Sequence, residues 1–152
     1  MFDIFKEFED EHHSKIWFMN LLNNNGYTHI TDTDVLTPYC YFDIFAKDPN
    51  NKTYMFELKV RYTTPSLYTY GDGSILRDKY DKFKLKRELV DYQYLVSFFQ
   101  DGYTFADIKN QEPYLCRKAL TTETTAFESH KPIYREFCHF KHNFIFQYPT
   151  DK

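Results

Sequence analysis

Three charged residues, Asp43, Glu57 and Lys59, stand inside segments that otherwise read as β-strand. Tyr39 to Ala46 and Thr53 to Arg61 are runs rich in β-branched and aromatic residues on either side of Lys47-Asp-Pro-Asn-Asn-Lys52, whose composition is that of a turn, so an antiparallel hairpin is expected. In the second run Phe56, Leu58 and Val60 share one face, and Met55, Glu57, Lys59 and Arg61 share the other. Strands that pair about Asn50 set Asp43 directly across from Glu57, with Cβ atoms about 5 Å apart. Lys59 then points the same way, two residues along. This register needs a loop of odd length, and a slip of one residue sends the two carboxylates to opposite faces.

Two carboxylates so close repel, and one must take up a proton or a cation must sit between them. Hard oxygen ligands suit Mg²⁺ or Mn²⁺, and Mg²⁺ binds through one or two carboxylates with substrate phosphate and water completing its shell. A phosphodiester fits such a centre, where the metal supplies Lewis acidity and a nucleophile derived from water. Lys59 would orient that water or offset charge in the transition state. The plainer reading is a solvated sheet face with an exposed Glu57–Lys59 ion pair worth less than about 1 kcal/mol. Helices covering the sheet would make such a bare cluster costly, which favours the cation site.

The elements that must position these residues follow from periodicity. Apolar residues Phe5, Phe8, Ile16, Met19 and Leu22 recur near helical spacing from Phe2 to about Leu22, and Asn23-Asn24-Asn25-Gly26 stops the run. Residues 27–37 are assigned to a first strand and a loop. After the hairpin, residues 63–74 read as a loop. Ser74 is the expected N-cap of a second helix reaching about Tyr92, with Leu76, Tyr80, Phe83 and Val90 as its apolar stripe and Lys79, Lys82 and Lys86 opposite. Asp101-Gly102 marks a hairpin between two short strands, residues 109–131 read as irregular, and residues 134–148 read as a final pair of strands. No repeat, low-complexity tract or domain boundary interrupts the chain, so residues 1–152 are read as one domain.

The order helix, strand, Phe42-Asp43, a gap of 14 positions, then Phe56-Glu-Leu-Lys59 resembles the PD-(D/E)XK, or restriction-endonuclease-like, nuclease superfamily. The resemblance covers roughly residues 5–99. It implies an α/β fold of the α+β mixed-sheet kind: an αβββαβ core, a central mixed sheet flanked by helices, and here a C-terminal β extension. It also implies divalent metal on Asp43 and Glu57, a catalytic role for Lys59, and hydrolysis of nucleic-acid phosphodiester bonds, with DNA favoured over RNA. No proline directly precedes Asp43, Pro38 lying five residues earlier, a departure that members of the superfamily often share. Many members add a first-helix glutamate as a further metal ligand; Glu11 takes that place here, with Glu7 as substitute. Glu11 has an ordinary alternative, a surface pair with Lys15 at i+4. A lysine or glutamine from the helix after the motif often reaches the site, which maps to Lys79 or Lys82.

Composition bounds the rest. With 152 residues, 42% hydrophobic and 20% aromatic, the chain can build a core, and its net charge of −3 argues against coating nucleic acid by bulk electrostatics. Positive charge is concentrated in Arg77 to Arg87, six basic residues against two acids. With Arg61 this run, and Lys79, Lys82 and Lys86 in particular, reads as a phosphate-backbone contact or else as a solvated helix face. Cys40, Cys116 and Cys138 lie far apart with no CxxC, which disfavours a disulfide framework and points to a cytoplasmic protein. Cys116, Cys138, His139 and His142 lack zinc-site spacing, and no glycine pattern forms a phosphate loop. No membrane span or signal peptide is read. A chain this small needs a homodimer or a protein partner to supply specificity. The competing function is a non-catalytic module that keeps the fold and binds nucleic acid or protein.

Overall fold

A computed structural model describes residues 11–33, 42–61, 72–99, 101–122 and 132–148, without the side chains of residues 11, 12, 72, 120–122, 132 and 133. The elements run α1 (Glu11–Asn24), β1 (Thr28–Asp32), β2 (Ile44–Lys47), β3 (Thr53–Val60), β4 (Asp72–Leu76), α2 (Arg77–Leu85), a 3₁₀ turn (Arg87–Leu89), β5 (Tyr92–Phe98), β6 (Tyr103–Asp107), β7 (Leu115–Thr122), β8 (Pro132–Lys141) and β9 (Phe144–Phe146). Six strands form a mixed sheet in the order β1-β2-β3-β5-β6-β9, and three form an antiparallel sheet in the order β4-β8-β7. The fold class is therefore mixed α/β, with helices packed on a mixed sheet. β3 and β5 are parallel, and the chain between them passes through β4 and α2.

α1 ends as its asparagine-glycine run predicts. The Gly26 N–H bonds to the Asn23 carbonyl and the Tyr27 N–H to the Leu22 carbonyl, with Gly26 at φ 83°, which is a Schellman cap. A Cβ on Gly26 would also stand 3.2 Å from the Pro49 ring. The buried stripe keeps Leu22 and half-buried Met19 from the predicted one but not Ile16, while Phe5 and Phe8 lie outside the described residues. Phe18 and Leu22 are buried, with Ser14 and Lys15 one turn before them, while Ile16 is 45% exposed. The local spacing admits either phase, and the sheet selects the one that seats Phe18 on Phe56, ring centroids 4.9 Å apart.

The β2–β3 hairpin closes on a five-residue loop, Asp48 to Lys52. Asp48 accepts the backbone N–H groups of Asn50 and Lys52 and the Tyr54 hydroxyl, and Asn51 takes φ 64°. Its register sets Ile44 opposite Phe56 and Lys47 opposite Thr53, which is the expected pairing about Asn50.

Two regions depart from expectation. Ser74 does not cap a helix: it lies in β4 opposite His139, and α2 begins at Arg77 with no side-chain cap and ends at Leu85. Residues 109–131 are not wholly irregular, because Leu115–Thr122 is β7, paired along its length with β8. Both strands depend on residues 132–141, far away in sequence. The strands β8 and β9 fall where strands were read, but in different sheets. Among the described residues no helix is long and apolar enough to cross a membrane.

Candidate functional site

β3 is a central strand between β2 and β5, so a side chain on it is flanked on both sides, and one facing α2 is also covered from above. Glu57 is in that position and is 1% exposed. Asp43 immediately precedes β2. Its N–H donates to the Phe56 carbonyl at 2.9 Å, and its Oδ2 accepts the Leu58 N–H at 2.8 Å. The side chain thus continues the ladder where the backbone leaves it, and the Asp43 and Glu57 carboxyls hydrogen-bond to each other.

Lysines approach from both helices. Lys79 of α2 brings Nζ to 2.6 Å from Glu57 Oε2. That oxygen is buried with an ion-pair neighbour and no hydrogen-bond partner among the described residues. Lys15 of α1, its side chain 10% exposed, places Nζ 3.5 Å from Asp43 Oδ1 and 3.4 Å from Asp32 Oδ1 at the end of β1. Three acids therefore meet two ammonium groups, and a single retained proton makes the cluster neutral.

Glu57 is the acid that keeps it. Burial, the hydrogen bond with Asp43 and the Asp43 charge push Glu57 well above its ordinary value, against the opposing pull of Lys79. Burial would raise Asp43 too, but the hydrogen bonds from Glu57 and the Leu58 N–H, with the Lys79 and Lys15 charges, hold it below the ordinary aspartate value. The two carboxyls are thus pushed apart in affinity for a proton, Glu57 up and Asp43 down.

Comparison with family models, with curated proteins and with solved structures returns no match for this chain. Function must be argued from the site itself.

Lys59 follows Glu57 by two residues on the same strand, half-buried, and makes no ion pair or hydrogen bond among the described residues. Lys82 is exposed and Lys86 half-buried at the end of α2. Arg61 is engaged within the fold, its Nη2 donating to the Ser74 carbonyl at 2.8 Å and to Ser97 Oγ at 3.4 Å, so it ties β3 to β4 and β5. Glu11 opens α1, but its side chain lies outside the description, and Glu7 lies outside the described residues. Among the described residues no three acid, thiol or imidazole side chains converge closely enough to hold a metal ion by themselves. Sequence reasoning did not include Asp32 and treated Lys15 only as a surface partner of Glu11. The signal available was a lysine one turn before Phe18 on the buried stripe of α1.

Proposed function

We propose that the chain is a metal-dependent nuclease that hydrolyses phosphodiester bonds of nucleic acid, DNA before RNA, with Asp43 and Glu57 as metal ligands and Lys59 as the catalytic lysine. One observation carries the reading: a carboxyl pair buried in mid-sheet, with the Lys79 ammonium against it and, two residues along β3, a half-buried lysine that makes no ion pair or hydrogen bond among the described residues. Left to itself, such an arrangement costs stability. Its donor set of hard oxygens fits Mg²⁺ or Mn²⁺, which the Asp43 and Glu57 carboxylates would hold. When bound, the cation supplies charge neutralisation at the phosphoryl group and a hydroxide equivalent at neutral pH.

The chain's own residues do the rest. The Leu58 N–H fixes the Asp43 carboxylate by its other oxygen. Glu57 would serve as a ligand in its ionised form, and the Lys79 ammonium, 2.6 Å from Glu57 Oε2, would stand beside the site to meet a phosphate oxygen. Lys59 donates a hydrogen bond to a phosphoryl oxygen or to the attacking water. Lys82 and Lys86 extend the positive edge along α2. Specificity would come from a second copy or another protein.

A second reading has its own support. Lys15 and Lys79, with one proton kept by the acids, make the cluster electrically complete without metal, as a binding module would require. The two are separated by incubating the protein with single-stranded, duplex and branched DNA and with RNA in Mg²⁺, Mn²⁺ or EDTA, with metal binding followed by calorimetry. Metal-dependent cleavage that disappears in Glu57→Gln and Lys59→Ala supports the nuclease. A folded protein that binds neither metal nor cleaves any of the four substrates favours the module.

A further inference from the structure

The three-stranded sheet carries a second chemical feature, remote in sequence from the carboxyl pair. Cys116 on β7 and Cys138 on β8 are direct partners in the antiparallel register. Both are free thiols, and their Sγ atoms are 2.9 Å apart, nearer than two unbonded sulfur atoms ordinarily rest. Directly opposed residues in antiparallel strands have Cα atoms about 4.5–5.5 Å apart, inside the roughly 4.4–6.8 Å that a disulfide spans, so the bond can close without moving either strand. We propose that Cys116 and Cys138 form a reversible oxidation site, closing to an intramolecular disulfide when the protein meets a peroxide.

The two sulfurs differ in access. Cys138 is fully buried beside Ile75 and Phe140, and Cys116 is half-buried. Burial, then the hydrogen bond to Cys116 and its charge, push the Cys138 thiol up to about 12, so it stays protonated and the outer sulfur meets the oxidant first. The Cys116 sulfur attacks the peroxide as its thiolate: an S–O bond forms, the O–O bond breaks, and the departing hydroxide takes up the proton the thiol gave up and leaves as water. Once Cys116 is an uncharged sulfenic acid, its charge no longer opposes ionisation of Cys138. The Cys138 sulfur then attacks the Cys116 sulfur; the S–S bond forms, the S–O bond breaks, and hydroxide departs as the second water with the Cys138 proton. Two thiols lose two electrons and one peroxide gains them.

The bond would fasten β7 to the strand that packs α2. Phe140 of β8 lies against Tyr80, ring centroids 5.1 Å apart, and Glu136 lies 3.7 Å from Arg77. The test uses the full chain, reduced and then treated with a few equivalents of hydrogen peroxide. Wild type and Cys40→Ser should each lose about 2 Da, the mass of two hydrogens, with the link mapped to residues 116 and 138 and reversed by dithiothreitol. Cys116→Ser and Cys138→Ser should not lose this mass. The melting temperature of oxidised Cys40→Ser should rise by about 5–10 °C, as expected for closing a loop of this length. No mass loss in Cys40→Ser, or a link that runs through Cys40, overturns the proposal.

Discussion

The two faces of the six-stranded sheet are built differently. The face under α1 is apolar and aromatic: Phe18, Leu22, Ile44, Phe56, Leu58, Tyr94, Val96 and Phe98 pack there, and Tyr54 stacks on Tyr92 with ring centroids 4.7 Å apart. The face under α2 and the small sheet has Met55, Leu95 and Ala106 in its core, yet the same strands turn buried Glu57, Gln93, Ser97 and Thr104 toward it. Three buried oxygens without a hydrogen-bond partner among the described residues, Glu57 Oε2, Gln93 Oε1 and Thr104 Oγ1, lie there. One surface is optimised for burial. The other holds polar groups at a cost in stability, which is where chemistry is expected.

The sharpest way to break this contrast is to change each face and read both activity and stability. Glu57→Gln keeps the shape and removes the charge that binding a cation would require; nuclease activity should fall at least 10²-fold, an order-of-magnitude figure taken from loss of a single charge-stabilising group, ~10²–10³. Its melting temperature in EDTA should be unchanged or higher. Full activity in this variant would sink the metal-site reading. Phe56→Ala on the opposite face should do the converse, costing about 3–5 kcal/mol in denaturant titrations through the cavity it leaves. If it proves neutral, the α1 face is not the stabilising one.

A smaller effect is expected from Lys15→Met. It strands the charges of Asp32 and Asp43 near a half-dry site, a loss of about 3 kcal/mol for removing one partner of a buried pair. Millimolar Mg²⁺ should restore part of it if the acids form a cation site, and none if they are only a salt-bridge network.

The pH dependence of the metal-free protein tests the shared proton. Because the folded state raises Glu57, that group's contribution is fully present below its ordinary value of 4.5 and is lost as pH rises through the raised value. Asp43 runs the other way: its contribution is present above the ordinary 3.8 and is lost as pH falls through the lowered value. Melting curves in EDTA should therefore decline toward alkaline pH in wild type but not in Glu57→Gln; identical slopes would remove the proton from the pair. The smallest change is Thr104→Val, which replaces a buried hydroxyl without a hydrogen-bond partner among the described residues and should stabilise by about 0.5–1 kcal/mol. A loss of stability would show that the hydroxyl has a partner after all.

The hairpin was legible because its information is local. Alternation put Glu57 and Lys59 on one face of β3, the Asp48-Pro-Asn-Asn turn set an odd loop, and together they fixed the register that carries Asp43 to Glu57. The end of α1 and the β5–β6 turn at Asp101-Gly102 were legible for the same reason. Ser74 misled because Ser before an apolar run is a cap signal, whereas its backbone is claimed by His139, more than sixty residues away. The β7 segment misled because its pairing partner is equally invisible in a local window.

The amino-acid order by itself determined which residues alternate, where the chain turns, and that two acids and a lysine share one strand-pair face. The tertiary structure alone decided that Lys15 and Asp32 join them, that Arg61 is drawn into the fold, that Glu57 is the acid whose pKa is raised, and that two cysteines meet in a second sheet. Registers follow from periods of two residues and short loops, which any window of the sequence contains. Burial and charge balance follow from which distant surfaces close over a group, and those are set only when the whole chain is packed.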